Sequence, residues 1–299
     1  MKRLLGIALA LTLAAAPAPA EGLRGPIRVA ALNTVLTEVA REVGGDHVEV
    51  AGIVPPGVDP HTFSPSPADI RALADADLVL ASGMGMESYL DRLVSSIGPR
   101  GVVVRVGDRL PEGIEVEGVR ARTEKDPHWW GSIANVILAA DLVRRELVRI
   151  DPAHAEEFAA NTETYCARLR VLEAWVSAEV ARLPAARRQL VTSHDAFGYF
   201  ARDYGFAVHS LNGLSTESEA DARTVAALIG LIRRERVGAV FAESSVDPRL
   251  VGDLVRETGV ALGGTLYADG LGPKGSGAET YEAAYRHNVS AIVAALAGP

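Results

Sequence analysis

From Ile27 to Gly107, short apolar runs alternate strictly with amphipathic stretches. "IRVAALN" (27–33) reads as a buried strand, and the helical "TVLTEVAREVGG" follows it with glycines at its end. "HVEVAGIVP", "DLVLASG" and "GVVVRVG" are further strands; "SPADIRALADA" and "MESYLDRLVSSIG" are the helices between them. Strands separated by helices cannot pair as hairpins, so the alternation predicts a parallel sheet with crossover helices. The rhythm stops at 108–127, a charged stretch without an apolar period that reads as a mobile loop ending at an Asp126-Pro127-His128 segment. It restarts at "RQLVTS" (188–193) and continues through "AFGYFARDYG", "DARTVAALIGLIRRER", "VGAVFAESS", "PRLVGDLVRETG" and "VALGGTLYAD" to a closing helix, "AETYEAAYRHNVSAIVAAL".

Between the two alternating halves lie a helix over about Trp129–Ile150 and a second, longer one. The second opens at Asp151-Pro152, an N-cap followed by proline at the first helical position. Its apolar positions are Phe158, Thr162, Tyr165, Leu169, Leu172, Val176, Val180 and Leu183, spaced by threes and fours. No glycine or proline interrupts Ala153–Leu183. About 31 residues at ~1.5 Å rise make a rod of roughly 45 Å, which suits a brace between two domains. The fold class expected is α/β: two Rossmann-like lobes with parallel sheets, bridged by one long rigid helix. The boundaries expected are 21–150, 151–184 and 185–299.

The first 20 residues read as a leader rather than as fold. Lys2 and Arg3 precede an apolar run from Leu4 to Ala15 and a small-residue cleavage site ending at Ala20 or Ala18. The run is too short to span a bilayer as a helix. No cysteine follows it, so the expectation is a soluble periplasmic protein with no lipid anchor. The single cysteine, Cys166, cannot form an internal disulfide and reads as a small buried residue on a helix. The formal charge is −8, and losing the leader removes two of the positive charges. Nucleic acid and anionic membrane surfaces are therefore poor partners, and a cationic ligand fits better.

"DPH" occurs twice, at Asp59-Pro60-His61 and Asp126-Pro127-His128. Proline fixes its own φ and biases the residue before it toward extended backbone, so each histidine stands on a stiff stem. Either copy alone reads equally well as a turn that carries histidine. In parallel β/α lobes, ligands bind beyond the carboxyl ends of the strands. His61 follows the second strand, His194 follows "QLVTS", Glu243 closes "GAVFA", Asp269 follows "GGTLYA", and His128 ends the loop between the lobes. Three imidazoles with a carboxylate match a four-coordinate Zn²⁺ site; Mn²⁺ and Fe²⁺ fit less well, because Mn²⁺ favours more oxygen ligands. His47, His154, His209 and His287 follow no strand end and read as solvated or packing histidines.

"GVDPHTFSPSPADIRALADADLVLASGMGMESYLDRL", "KDPHWW", "VTSHDAFGYFARDYGF", "FAESSVDPRL" and "TLYADGLGP" together resemble the metal-binding solute-binding proteins (cluster A-I) of zinc and manganese ABC importers. The likeness runs in matching order from about residue 27 to 296, and within the group it is most similar to the AztC-type periplasmic zinc-binding proteins. The resemblance implies one metal in the cleft between two lobes, with His61, His128 and Asp269 as ligands. The third ligand, histidine in many zinc members and glutamate in many manganese members, falls on His194 and favours zinc. Glu243 matches an acid near the site that could orient an imidazole. Two departures stand out: 108–127 lacks the histidines of many zinc members, and "PHWWGS" replaces the more usual "PHVWLD".

The resemblance further implies a monomeric, non-enzymatic zinc receptor that serves the membrane permease of a zinc ABC importer, with a periplasmic zinc metallochaperone as a further partner left open. Manganese or iron as cargo is the alternative. A secreted zinc hydrolase using Glu243 as general base is a more distant one, since a hydrolase needs an open metal position for water.

Overall fold

The computed structural model describes residues 25–111, 113–117, 123–217 and 221–298; the leader expected at 1–20 lies outside them. The first half alternates as the sequence implies: β1 (Ile27–Ala31), α1 (Thr34–Gly44), β2 (Val48–Gly52), α2 (Pro67–Asp75), β3 (Leu78–Ala81), α3 (Leu90–Ile97) and β4 (Val102–Arg105). All pairings are parallel and the strand order is β2-β1-β3-β4. β1 and β3 take the centre because they are apolar on both faces, and every residue of β3 is buried. Helix starts are fixed locally. Asn33 Oδ1 accepts from the Val35 amide at 2.7 Å to open α1, and Ser66 and Asp69 form a reciprocal capping box around Pro67 to open α2.

Over its described residues, 108–111, 113–117 and 123–127, the charged stretch is more regular than expected. After a 3₁₀ turn at Gly107–Arg109, β5 (Glu115–Glu117) and β6 (Thr123–Lys125) form an antiparallel ribbon with Glu115 opposite Lys125. Its base is tied to the second half of the chain. The Ile114 amide donates to the Tyr199 hydroxyl at 3.2 Å, and that hydroxyl donates to the Asp126 carbonyl at 3.0 Å. A charged ribbon held by main-chain bonds has no apolar period to betray it.

A 3₁₀ turn at Trp129–Gly131 leads into α4 (Ile133–Ile150), and a second at Pro152–His154 leads into α5 (Ala155–Val180). The bridging helix is therefore shorter than the sequence suggests: 26 residues, about 39 Å at 1.5 Å per residue. The chain tightens to 3₁₀ at Pro152 because Asp151 accepts from the Ala153 amide there. Phe158, Thr162, Tyr165, Leu169, Leu172, Val176 and Val180 all bury one face of α5, as their spacing requires.

The second half comprises β7 (Gln189–Thr192), α6 (Gly198–Tyr204), β8 (Ala207–Ser210), α7 (Ala222–Glu235), β9 (Ala239–Glu243), α8 (Arg249–Thr258), β10 (Ala261–Leu266) and α9 (Tyr281–Ala297). Its sheet is again parallel, in the order β10-β9-β7-β8, so the winding of the first sheet is repeated. The short edge strand β8 is the element that the apolar pattern conceals, since all four of its residues are only half-buried. Along β10 the register slips between Leu262 and Thr265. Gly263 permits this, because a side chain there would meet the Phe241 ring at 2.4 Å.

Each lobe has a small apolar cluster of its own, around Leu32, Leu73 and Leu90 in the first and around Val240, Ile232 and Leu254 in the second, but the main core is shared. One apolar cluster runs from Val29 and Leu80 through Trp129, Leu169 and Leu172 to Phe241 and Val289. No helix among the described residues is long and apolar enough to cross a membrane. A shared core couples the halves, so urea should unfold both in a single transition followed identically by fluorescence and circular dichroism. Leu172→Ala should cost about 2–5 kcal/mol in the same titration, whereas the exposed Val171→Ala should change stability by less than about 0.5 kcal/mol.

Candidate metal centre

The two DPH segments are built alike. The Asp59 carboxylate accepts from the His61 amide at 2.8 Å, and the Asp126 carboxylate accepts from the His128 amide at 2.9 Å. Each acid thus closes an Asx turn over its proline and fixes the backbone of the histidine two residues on. The acids then diverge. Asp126 also accepts from His128 Nδ1 at 2.7 Å, which leaves Nε2 as the free donor. Asp59 instead reaches across the cleft and accepts from the Thr216 hydroxyl at 2.6 Å.

His194 follows β7 and Asp269 follows β10, at the carboxyl edge of the second sheet. Together with His61 and His128 they converge on one point. His128 Nε2 lies 3.2 Å from His61 Nε2 and 3.3 Å from His194 Nε2. Asp269 Oδ1 lies 3.1 Å from His194 Nε2 and 3.5 Å from the Nε2 atoms of both His61 and His128. The three imidazoles form a nearly threefold collar, with ring centroids 5.1–5.4 Å apart. His128 and His194 are fully buried, and Asp269 and His61 nearly so.

The surroundings orient these groups. Glu243, the last residue of β9, accepts from the His194 amide at 2.9 Å and packs its other oxygen against His194 Nδ1. Asp269 Oδ2 accepts from the Ser245 hydroxyl at 2.6 Å, which commits that oxygen and leaves Oδ1 to the cleft. Trp130 stacks edge-on to His128 and donates to the Ala268 carbonyl at 2.8 Å, while Trp129 donates to the Ser82 carbonyl at 3.1 Å; both are buried. Gly198 is required at its position, because a side chain there would meet Asp126 Oδ2 at 2.6 Å. Asp126, Ser245 and Gly198 are contributors that the sequence does not single out. The first DPH acid hints at Asp126, but nothing local marks the other two.

His61 alone of the four edges a cavity of about 330 Å³, which Met84, Glu124, Lys125, Ser215 and Glu217 also line. A small ion can reach the donors from that side. His209 and His287 lie elsewhere, bonded to Gln189 and to the Thr265 carbonyl. His47 and His154 are also remote from the cleft, but they lie against each other.

Without a cation, charge in the cleft is balanced by protons. Burial opposes charge on His128, but hydrogen bonds to Asp126 and Asp269 outweigh it and push the imidazole up to about 9. His194 is likewise held well above the ordinary range against burial, chiefly by the Asp269 and Glu243 charges. Burial would raise Asp269, yet His194 first and then the other imidazoles hold it well below the usual carboxylate range. A group whose pKa rises on folding contributes stability that is complete below its unfolded value, about 6.5 for histidine, and is lost as pH passes its folded value. The metal-free protein should therefore lose urea resistance as pH is raised from 6.5 through 9. Asp126→Asn should flatten that loss, and NMR titration of the His128 ring should show its midpoint moved down.

Residues 29–295 match the model of the ZnuA family, zinc-uptake complex component A, periplasmic. The manganese-binding lipoprotein MntA of Bacillus subtilis is 37% identical over 275 residues, covering 90% of each chain. The iron-binding protein YfeA of Yersinia pestis is 34% identical over 253 residues, covering 83% of this chain and 79% of its own. The solved structure of the periplasmic zinc-binding protein TroA from Treponema pallidum superposes with a TM-score of 0.85 at 33% identity, covering 91% of this chain and 99% of its own. One expectation is overturned here. MntA is named a lipoprotein, and so are streptococcal relatives, so the expectation of no lipid anchor does not stand. It rested on the leader, which lies outside the described residues. The match over nearly the whole chain, on this two-lobed fold with its buried His/Asp cluster, places the protein in the ZnuA family: it is a metal-binding substrate-binding protein of an ABC importer, and its partner is the importer's membrane permease and ATPase.

Proposed function

We infer that the cargo is Zn²⁺, held by His61, His128, His194 and Asp269, with Glu243, Asp126 and Ser245 orienting the donors. The observation that carries this reading is the spacing of the donor atoms. Five of the six separations are 3.1–3.5 Å, and the sixth, between His61 and His194, is within 4.8 Å. The centre of a tetrahedron with such edges lies about 2.0 Å from each corner, the length of Zn–N and Zn–O bonds. The donor set points the same way. Mn²⁺ favours more oxygen ligands, and the one carboxylate here offers a single oxygen because Ser245 holds the other. Glu243 is engaged with His194 through both oxygens, which disfavours a hydrolytic role as general base.

Manganese and iron remain the competing cargoes, since MntA and YfeA bear those names. The narrower AztC-type placement rests on the sequence motifs alone. In this reading residues 21–150 and 185–299 are the two lobes, 151–184 is the bridge, and a monomer is the working unit. Loading needs neutral imidazoles, so the ion displaces the protons that His128 and His194 carry in its absence.

Competition titration with a chromophoric chelator should find one Zn²⁺ in the cleft, bound at least about a hundredfold more tightly than Mn²⁺. Equal affinities would make manganese the better reading. Alanine at His61, His194 or Asp269 should each weaken zinc by more than about tenfold. His128→Ala should do so as well, and Ser245→Ala should narrow the gap between zinc and manganese by freeing the second Asp269 oxygen. His209→Ala and His287→Ala should leave cleft affinity unchanged in the same assay.

A further inference from the structure

At the opposite end of β2 from His61, the closing turn of α1 meets the start of α5. His47 ends the 3₁₀ turn Gly45–His47, His154 ends the turn that opens α5, and Glu157 lies in the first turn of α5. Each of the three offers a donor atom within 4.8 Å of the others. We propose that His47, His154 and Glu157 form a second site for a divalent transition ion, with Asp151 positioning His154.

The arrangement has the parts that such a site needs. The buried Asp151 carboxylate lies 2.6 Å from His154 Nδ1 and so accepts its proton. That leaves Nε2 as the free donor, the carboxylate–histidine pairing found behind metal-bound imidazoles. His47 Nε2 lies 2.7 Å from Glu157 Oε2, so one ion can replace the shared proton and bind both atoms. The two rings stack at 3.8 Å with planes 23° apart, over the fully buried Phe158, which meets both edge-on.

The frame is tight as well. Gly45 adopts φ +54°, Asn161 Nδ2 sits 2.8 Å from where its Cβ would be, and the same amide donates to the Val43 carbonyl. The end of α1 is thus pinned to the first turns of α5. A surface ion pair between His47 and Glu157 alone would be weak and would not need His154 turned toward it by a buried acid.

The site differs from the cleft in kind. It has three protein donors, and their side chains are 25%, 36% and 63% exposed, so water completes the shell and the ion exchanges freely. The positive end of α5 opposes a cation there, while Asp46, Asp151, Glu156 and Glu157 favour one. Imidazole-rich sites of this type prefer Cu²⁺, Zn²⁺ and Ni²⁺ over Mn²⁺.

The test uses the full chain carrying His194→Ala and Asp269→Ala, so the result does not depend on which ion the cleft carries. Equilibrium dialysis with Zn²⁺ should still find one ion per chain. Adding His154→Asn, or the exposed Glu157→Gln, should weaken that ion at least about tenfold; Asp151→Asn should weaken it by about 10–100-fold. Ni²⁺ should broaden the ring signals of His47 and His154 and spare those of His209 and His287. Zinc binding unchanged by Glu157→Gln and His154→Asn, or equally reduced by His209→Asn with His287→Asn, would overturn the proposal.

Discussion

Three imidazole nitrogens and a carboxylate oxygen, all within 4.8 Å of one another and mostly within 3.1–3.5 Å, are not a low-energy packing by themselves when buried. Burial opposes every charged form, and neutral imidazoles facing each other have one proton too few or one lone pair too many. The cluster holds together because carboxylates stand behind it: Asp126 at His128 and Glu243 at His194. Their negative charge keeps protons on the rings when no cation is present and favours a cation when one arrives. The rest of the fold serves to keep these groups from moving apart.

That service explains the architecture. Donors from two lobes can be held to a few tenths of an ångström only if the lobes share a rigid frame. Here a single apolar cluster threads both sheets, and α5 runs along them with no glycine or proline at which to bend. Polar ties across the cleft add to this: Trp130 to Ala268, Tyr281 to Trp130, the Leu271 amide to Thr34, and Thr216 to Asp59. Interlobe contacts of this density favour local adjustment near His61 over rotation of whole lobes.

Much of this was legible in the sequence, and the reasons are specific. Buried parallel strands announce themselves as apolar runs, and the rule that ligands gather beyond strand ends pointed His61, from the first sheet, and His194, Glu243 and Asp269, from the second, to one cleft. β8 escaped because its four residues are half-buried, and the β5–β6 ribbon escaped because main-chain bonds, not apolar side chains, hold it. Ser245 and Gly198 could not be found locally, since each matters through a residue distant in the chain. The pairing of His47 with His154 was hidden for the same reason: only the docking of α1 on α5 brings them together.

The repeated winding of the two sheets has a consequence for how binding is distributed along the chain. Both sheets reverse direction beside their first strand, and each half brings two of the four donors to its own crevice: His61 and His128 from the first, His194 and Asp269 from the second. With the ligand set proposed above, each half alone would be a bidentate chelator, and tight binding would be a property of the seam and of neither side. A bound ion would then act as a gauge of whether the two halves are correctly seated, and a permease that pried the seam by a fraction of an ångström would need no contact with the ion to release it.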